Sequence, residues 1–225
     1  MLTDTINTTD LPPVSPTRLE SDITKLVKAP DQRYVLGVID INHYVARYDI
    51  FGPEYRNMVL NAIDAFLATF QSKRQILHHA RSTEDQFTIL YAGDILPHES
   101  LEGAIKREVI GEIIRRINSA EFPLLEAPED LEAPEDFSEQ YNPKHDVLLD
   151  RTDRSHKHIL GTLDAQHVTV RGAAVAFKKG VSYPVLKGAL LAELSLAKKA
   201  VYKEIEGGVA PNDITVHFHV LDRYV

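Results

Sequence analysis

The chain has 225 residues, 44% of them hydrophobic and 26% charged, with no cysteine and no tryptophan. That composition excludes collagen-like and wholly disordered classes, a disulfide framework, a Cys-ligated zinc and a Cys nucleophile, and the length suffices for a core without a staple. The formal charge of −8 comes from 33 acids and 25 bases, and no basic surface emerges that would suit duplex DNA or an anionic membrane.

Residues 1–16 are polar and carry Pro12, Pro13 and Pro16; they read as a flexible lead-in to a single domain spanning 17–225. They lack the basic and apolar regions of a secretory signal, and no apolar run approaches the ~20 residues that span a bilayer. With cysteine absent, a reducing cytoplasm is the expected place. Thr17–Lys28 suits a short helix. Arg33–Asp40 is a near-continuous β-branched and apolar run, the pattern of a strand buried on both faces. Gly52-Pro53 punctuates the chain, and a helix is predicted after it. Its apolar residues Tyr55, Met58, Val59, Ala62, Ile63, Phe66, Leu67 and Phe70 follow helical spacing.

Gln75–Ala80 and Phe87–Ala92 read as two strands of a hairpin, with Arg81–Gln86 as the polar turn. A second amphipathic helix is predicted from Glu99 to Asn118, with Leu101, Ile105, Val109, Ile113 and Ile117 repeating every four residues. Residues 121–143 then hold eight acids and no Lys or Arg, so the remaining 25 acids balance the 25 bases. The tandem LEAPED repeat, Leu125–Asp130 and Leu131–Asp136, lies inside this acidic, polar insertion, which spans 121–157. Two copies are too few for a solenoid, and a solvated loop is expected. An acidic docking segment for a basic protein partner is the rival reading. Further on, His167–Phe177 suits a strand, Pro184–Ile205 a helix and Ile214–Leu221 a final strand. The order is that of an α+β sandwich with helices packed on a mostly antiparallel sheet.

Candidate chemistry starts with Asp40, which ends a buried strand, and Asp85, an acid in the hairpin turn. Two carboxylates so placed can chelate a divalent ion that bridges nucleotide phosphates; turn and cap hydrogen bonding is the structural alternative. The histidines His78, His79, His156, His158, His217 and His219 include two i, i+2 pairs, but spacing fixes no third ligand for a zinc.

Several fragments in the right order resemble the GGDEF (diguanylate cyclase) family. Asp10–Arg18 is similar to its D-x-L-T-G-L-P-N-R opening. Asp40, Ile41, Tyr44, Asp49 and Gly52 keep register with D-I-D-h-F-K-x-x-N-D-x-x-G. Thr83-Glu84-Asp85-Gln86-Phe87, preceded by Arg81, stand where the family has the signature turn. Val168–Val170 resembles the later V-T-V-S strand, and Ala197–Tyr202 the A-D-x-A-L-Y helix. The resemblance implies a palm/ferredoxin-like fold. It also implies GTP bound at the signature turn with Mg²⁺ or Mn²⁺ on Asp40 and Asp85, and a homodimer in which each nucleotide attacks the other.

The departures fall in the site. Gln86 replaces the second signature acid, and a neutral amide is a poor Mg²⁺ ligand. Thr83 and Glu84 replace the glycines; Thr83 disfavours φ > 0, and Glu84 would bring like charge toward a triphosphate. At ~4 Å and an effective dielectric near 20, each such pair repels by about 4 kcal/mol. The guanine-reading positions match Tyr48 and Asn57, and the family's phosphate lysine after Phe matches Val45. Lys198, Lys199 and Lys203 offer cations from the last helix. Arg74 and Leu77 stand where the product-inhibition site has Arg and Asp. The expected protein is a degenerate, stand-alone GGDEF domain in bacterial signalling, without diguanylate cyclase activity, that binds nucleotide or protein. The alternative is an active metal-dependent nucleotidyl cyclase or polymerase of altered specificity; the palm of the type III CRISPR polymerase-cyclase subunit is faintly similar over Gly172–Lys203.

Overall fold

A computed structural model describes residues 13–42, 44–93, 109–119, 147–149, 157–159, 168–206 and 216–221, with the backbone alone at 45–52, 147–149, 157–159, 200–206 and 216–220. In chain order the elements are α1 (Pro16–Leu26), β1 (Arg33–Ile41), α2 (Tyr44–Ser72), β2 (His78–Arg81), β3 (Gln86–Ala92) and α3 (Val109–Asn118). They continue as β4 (Val147–Leu149), β5 (Lys157–Ile159), β6 (Val170–Lys178), α4 (Tyr183–Glu206) and β7 (Val216–Val220). Five strands form the central sheet in the order β2-β3-β1-β6-β7. Every pairing in it is antiparallel except β6 with β7. The fold is α+β, as the sequence pattern predicts.

Period-two alternation sorts each strand onto two cores. Val35, Ile39 and Ile41 face α2 and α3 together with Phe87, Ile89, Tyr91, Val170, Ala174 and Ala176. Tyr34, Leu36 and Val38 face α1 and α4 together with Leu90, Ala173, Val175 and Phe177. Both faces of β1 are therefore covered, which is why it reads as an unbroken apolar run. Helix α3 lies close to the sheet at glycines: a Cβ on Gly172 would stand 2.6 Å from Ile114 Cδ1 and 2.8 Å from the Val38 carbonyl oxygen.

Helix α1 begins at Pro16, with the Ser15 side chain accepting from the Arg18 N–H at 3.3 Å. Just ahead of it, Val14 N–H donates to the Arg81 carbonyl at 2.8 Å, so this end of the lead-in is tied to the β2 edge. The Gly52-Pro53 pair does not start α2; the helix begins at Tyr44 and runs through Pro53. Proline removes one hydrogen bond to the preceding turn. Tyr44 and Tyr55, three turns apart, both lie in the core cluster under α2, and this burial outweighs the lost bond. At its far end Arg74 sits at φ 58°, with Gln75 N–H on the Phe70 carbonyl and Arg74 N–H on the Gln71 carbonyl, both 2.9 Å. This is a Schellman cap with an arginine where glycine is usual.

The predicted helix from Glu99 is described from Val109 onward. The acidic stretch 121–143 lies outside the described residues, but the insertion is not all loop. Val147–Leu149 and Lys157–Ile159 form an antiparallel two-stranded ladder, Val147 opposite Ile159. Runs of three residues are too short to register as strands by pattern. The end of α3 is clasped to the start of β6: Asn118 Oδ1 accepts from the Val170 N–H at 2.7 Å, and Asn118 Nδ2 donates to the Val170 carbonyl at 3.0 Å.

Candidate functional site

On β1 the row Tyr34, Leu36, Val38 continues into Asp40, over about 20 Å at strand rise. On α4 the i, i+4 row Leu186, Leu190, Leu194 continues into Lys198, over about 18 Å at helical rise. The apolar members of both rows share one core. The two rows match in length and end in opposite charges, and Lys198 Nζ lies 2.8 Å from Asp40 Oδ2.

The sheet supplies the other partners of Asp40. Its cross-strand neighbours are Gln86 on β3 and Arg171 on β6. Gln86 Nε2 donates to Asp40 Oδ2 at 3.0 Å. Arg171 donates to Oδ1 from Nε at 2.8 Å and from Nη2 at 2.7 Å. Asp40 is fully buried and Arg171 nearly so, while the Lys198 side chain is 33% exposed. Arg171 is absent from the sequence-based candidates. A lone arginine in a run as apolar as Val168–Phe177 is itself a signal, because a buried charge demands a partner. Register puts that partner directly opposite.

The turn between β2 and β3 carries the other candidates. Arg81 is buried and donates to the Thr83 carbonyl from Nε at 3.1 Å and to the Glu84 carbonyl from Nη2 at 3.0 Å. Ser82 N–H closes the turn on the Gln86 carbonyl at 2.9 Å. Among the described residues, Arg74 is the one non-glycine with positive φ. Thr83 and Glu84 therefore hold the turn in backbone regions open to any L-residue, and no glycine is required. Phe87 is fully buried in the core facing α2.

Asp85 is half-buried; its Oδ1 accepts from Thr83 Oγ1 at 3.0 Å, and its carbonyl accepts from Ile41 N–H at 3.0 Å. Burial first, then the charge of Asp40, pushes the Asp85 carboxyl above its ordinary pKa, with Thr83 and Lys198 pulling the other way. Glu84 is exposed, and its charge acts on the Tyr44 phenol. That phenol is raised chiefly by burial, against the pull of Arg56 and Arg81.

The structure thus brings together Asp40, Asp85, Gln86 and Lys198 and adds Arg171. Asn57 is half-buried on α2, which packs on the opposite side of the sheet from Lys198. Tyr48 lies in the part of α2 where only the backbone is described, as do Val45 and Asp49. Lys199 is exposed, and Lys203 lies in the backbone-only end of α4. Leu77 packs against the core facing α1 and donates its N–H to the Leu90 carbonyl at 2.7 Å.

His78 and His79 point to opposite sides of the sheet. His79 bonds Gln71 Oε1 at 2.6 Å and lies 3.3 Å from Asp64, both on α2. His78 feels Asp22 and Arg18 on α1, and burial lowers its pKa. His217 and His219 pair with Ala173 and Val175 and so share one face of β7; His156 lies outside the described residues. No group of three or more His, Cys, Asp or Glu side chains among the described residues is placed to hold a metal ion. A small cleft of about 70 Å³ opens beside the turn between Val14, Leu36, Val38, Thr83, Gln86 and Leu190. It is well short of the roughly 300–1,000 Å³ of a small-molecule pocket.

The antiparallel core with helices on both faces defines a palm-type α+β domain. No protein-family model matches the sequence, and no curated protein matches it. Solved structures do. The GGDEF domain of DgcB from Caulobacter crescentus, in complex with c-di-GMP, superposes with a TM-score of 0.50 at 15% identity, covering 89% of this chain and 84% of that one. The FimX GGDEF domain from Pseudomonas aeruginosa gives 0.49 at 10% identity over 93% and 95% of the two chains. The diguanylate cyclase SiaD of the same organism, in complex with its activator SiaC, gives 0.49 at 16% identity over 92% of this chain and 58% of that one. This chain has a GGDEF-like fold, and at these identities the likeness speaks for the fold alone. No helix among the described residues is long and apolar enough to cross a membrane.

Proposed function

We propose that this GGDEF-fold domain serves cyclic-dinucleotide signalling as a binding module and does not itself condense GTP. The observation that carries the reading is the Gln86–Asp40 hydrogen bond at 3.0 Å. At the position of the second signature acid stands an amide, and its N–H₂ is turned onto the strand-end carboxylate. Two positions that would hold metal in an active domain, Asp40 and that of the second signature acid, are an acceptor and a donor here, bonded to each other. The partners in this reading are a second copy of the chain or a signalling protein met through the acidic insertion. Incubating the purified chain with GTP and Mg²⁺ or Mn²⁺ is expected to yield no cyclic di-GMP by chromatography; its appearance overturns the reading.

One observation favours the alternative, a nucleotidyl cyclase of altered specificity: Asp85 lies close enough to Asp40 for that charge to raise its carboxyl. ATP in place of GTP in the same incubation tests it. A cyclic or linear adenine product that disappears in Asp40→Ala would establish this alternative.

A further inference from the structure

We infer that the chain fills the divalent-cation position of its own fold with side-chain cations, so that Asp40 belongs to a permanent internal ion cluster and is closed to metal. The inference deepens the proposed function and rests on the same reading of Asp40 as the metal-side acid. A carboxylate offers about four lone-pair directions on its two oxygens. All four are taken: Arg171 Nε and Nη2 on Oδ1 at 2.8 and 2.7 Å, Lys198 Nζ and Gln86 Nε2 on Oδ2 at 2.8 and 3.0 Å. Mg²⁺ would need one of those directions at ~2.0–2.1 Å and several further oxygens around it. It would meet an ammonium and a guanidinium instead. Among the described residues, Asp85 is the other carboxylate acting on this space, and it is already half-buried beside Lys198.

The donor set therefore does not fit a divalent ion. It fits a network in which Asp40 is the counter-ion that lets Arg171 lie buried in β6 and Lys198 end the apolar row of α4. This reverses the expected effect of mutation. Carboxylates that cluster around a metal repel one another when it is absent, so neutralising one relieves the fold. A counter-ion to two cations cannot be removed without exposing them to an uncompensated environment.

Mn²⁺ titration of the full chain, followed by electron paramagnetic resonance of the free ion, tests the inference. The wild type is expected to show no saturable binding that depends on Asp40. Asp40→Asn is expected to lower the denaturation midpoint, with no change on adding Mn²⁺ or a chelator. Saturable Mn²⁺ binding abolished by Asp40→Asn overturns the inference, as does an Asp40→Asn chain as stable as wild type or more so. The double variant Gln86→Glu with Lys198→Asp is expected to bind Mn²⁺ at least about tenfold more tightly than wild type. Should that chain fail to fold, Gln86→Glu with Lys198→Ala, at a one-third-exposed side chain, asks the same question, and no gain of affinity there overturns the inference. GTP turnover in the same wild-type preparation separates the two readings. Asp40-dependent Mn²⁺ binding without product refutes the internal cluster and leaves the proposed function. Product without such binding refutes the function and leaves the cluster.

Discussion

Asp85 is the residue in this site whose ionisation works against the fold. Its carboxyl is raised by burial and by Asp40, so the folded chain holds that proton more tightly than the unfolded chain does. The sign follows from linkage: stability is greatest while Asp85 is protonated and falls as pH rises from the ordinary carboxylate range through the raised folded value. Asp85→Asn keeps an acceptor for Thr83 Oγ1 and removes the charge. It is expected to raise Tm at pH 7, with the gain fading as pH falls toward 4; a gain independent of pH would refute the linkage. Asp40 and Asp85 are both legible in the sequence from a strand end and a turn. Arg171 is legible only as an oddity in an apolar run, and Lys198 only when two rows of equal length are laid side by side. The contact that closes the cluster is tertiary, and neither spacing nor family resemblance supplies it.

The elements show where local pattern suffices and where packing overrides it. Near-continuous apolar runs locate β1, β3 and β6, because strands with two covered faces are apolar on both. Gly52-Pro53 misleads, since the buried Tyr44 and Tyr55 hold one helix across it. The β4–β5 ladder escapes notice because three residues carry no periodicity. Helix α3 packs closely over β1 and β6 at two glycines. A methyl on Gly37 would meet the side chains of Ile110, at 2.8 Å, and Ile89, which can rotate away. A methyl on Gly172 would meet the Val38 carbonyl as well as Ile114, and the backbone of a central strand cannot yield. Gly172→Ala is therefore expected to destabilise by about 1–3 kcal/mol, more than Gly37→Ala. Urea denaturation of both variants checks the order, and the reverse order would refute this account of the packing.

At the scale of the whole molecule the charge of −8 is local, because residues 121–143 hold eight acids without a base. The body that carries the ion cluster is neutral, so the charge says nothing about affinity for an anionic ligand. The two hydrogen bonds between Asn118 and Val170 clasp the end of α3 to the start of β6. Deleting 121–143 is expected to shift Tm by no more than about 5 °C and to lower solubility as net charge approaches zero. A larger drop in Tm would mean that the segment shares the core. Closing a loop costs entropy that grows only with the logarithm of its length, about 0.6 kcal/mol per doubling. The clasp is thus a seam at which the chain can be exchanged as well as shortened. A sensor peptide or a whole guest domain with neighbouring termini could take the place of 121–143, with the Asn118–Val170 clasp still tying α3 to β6.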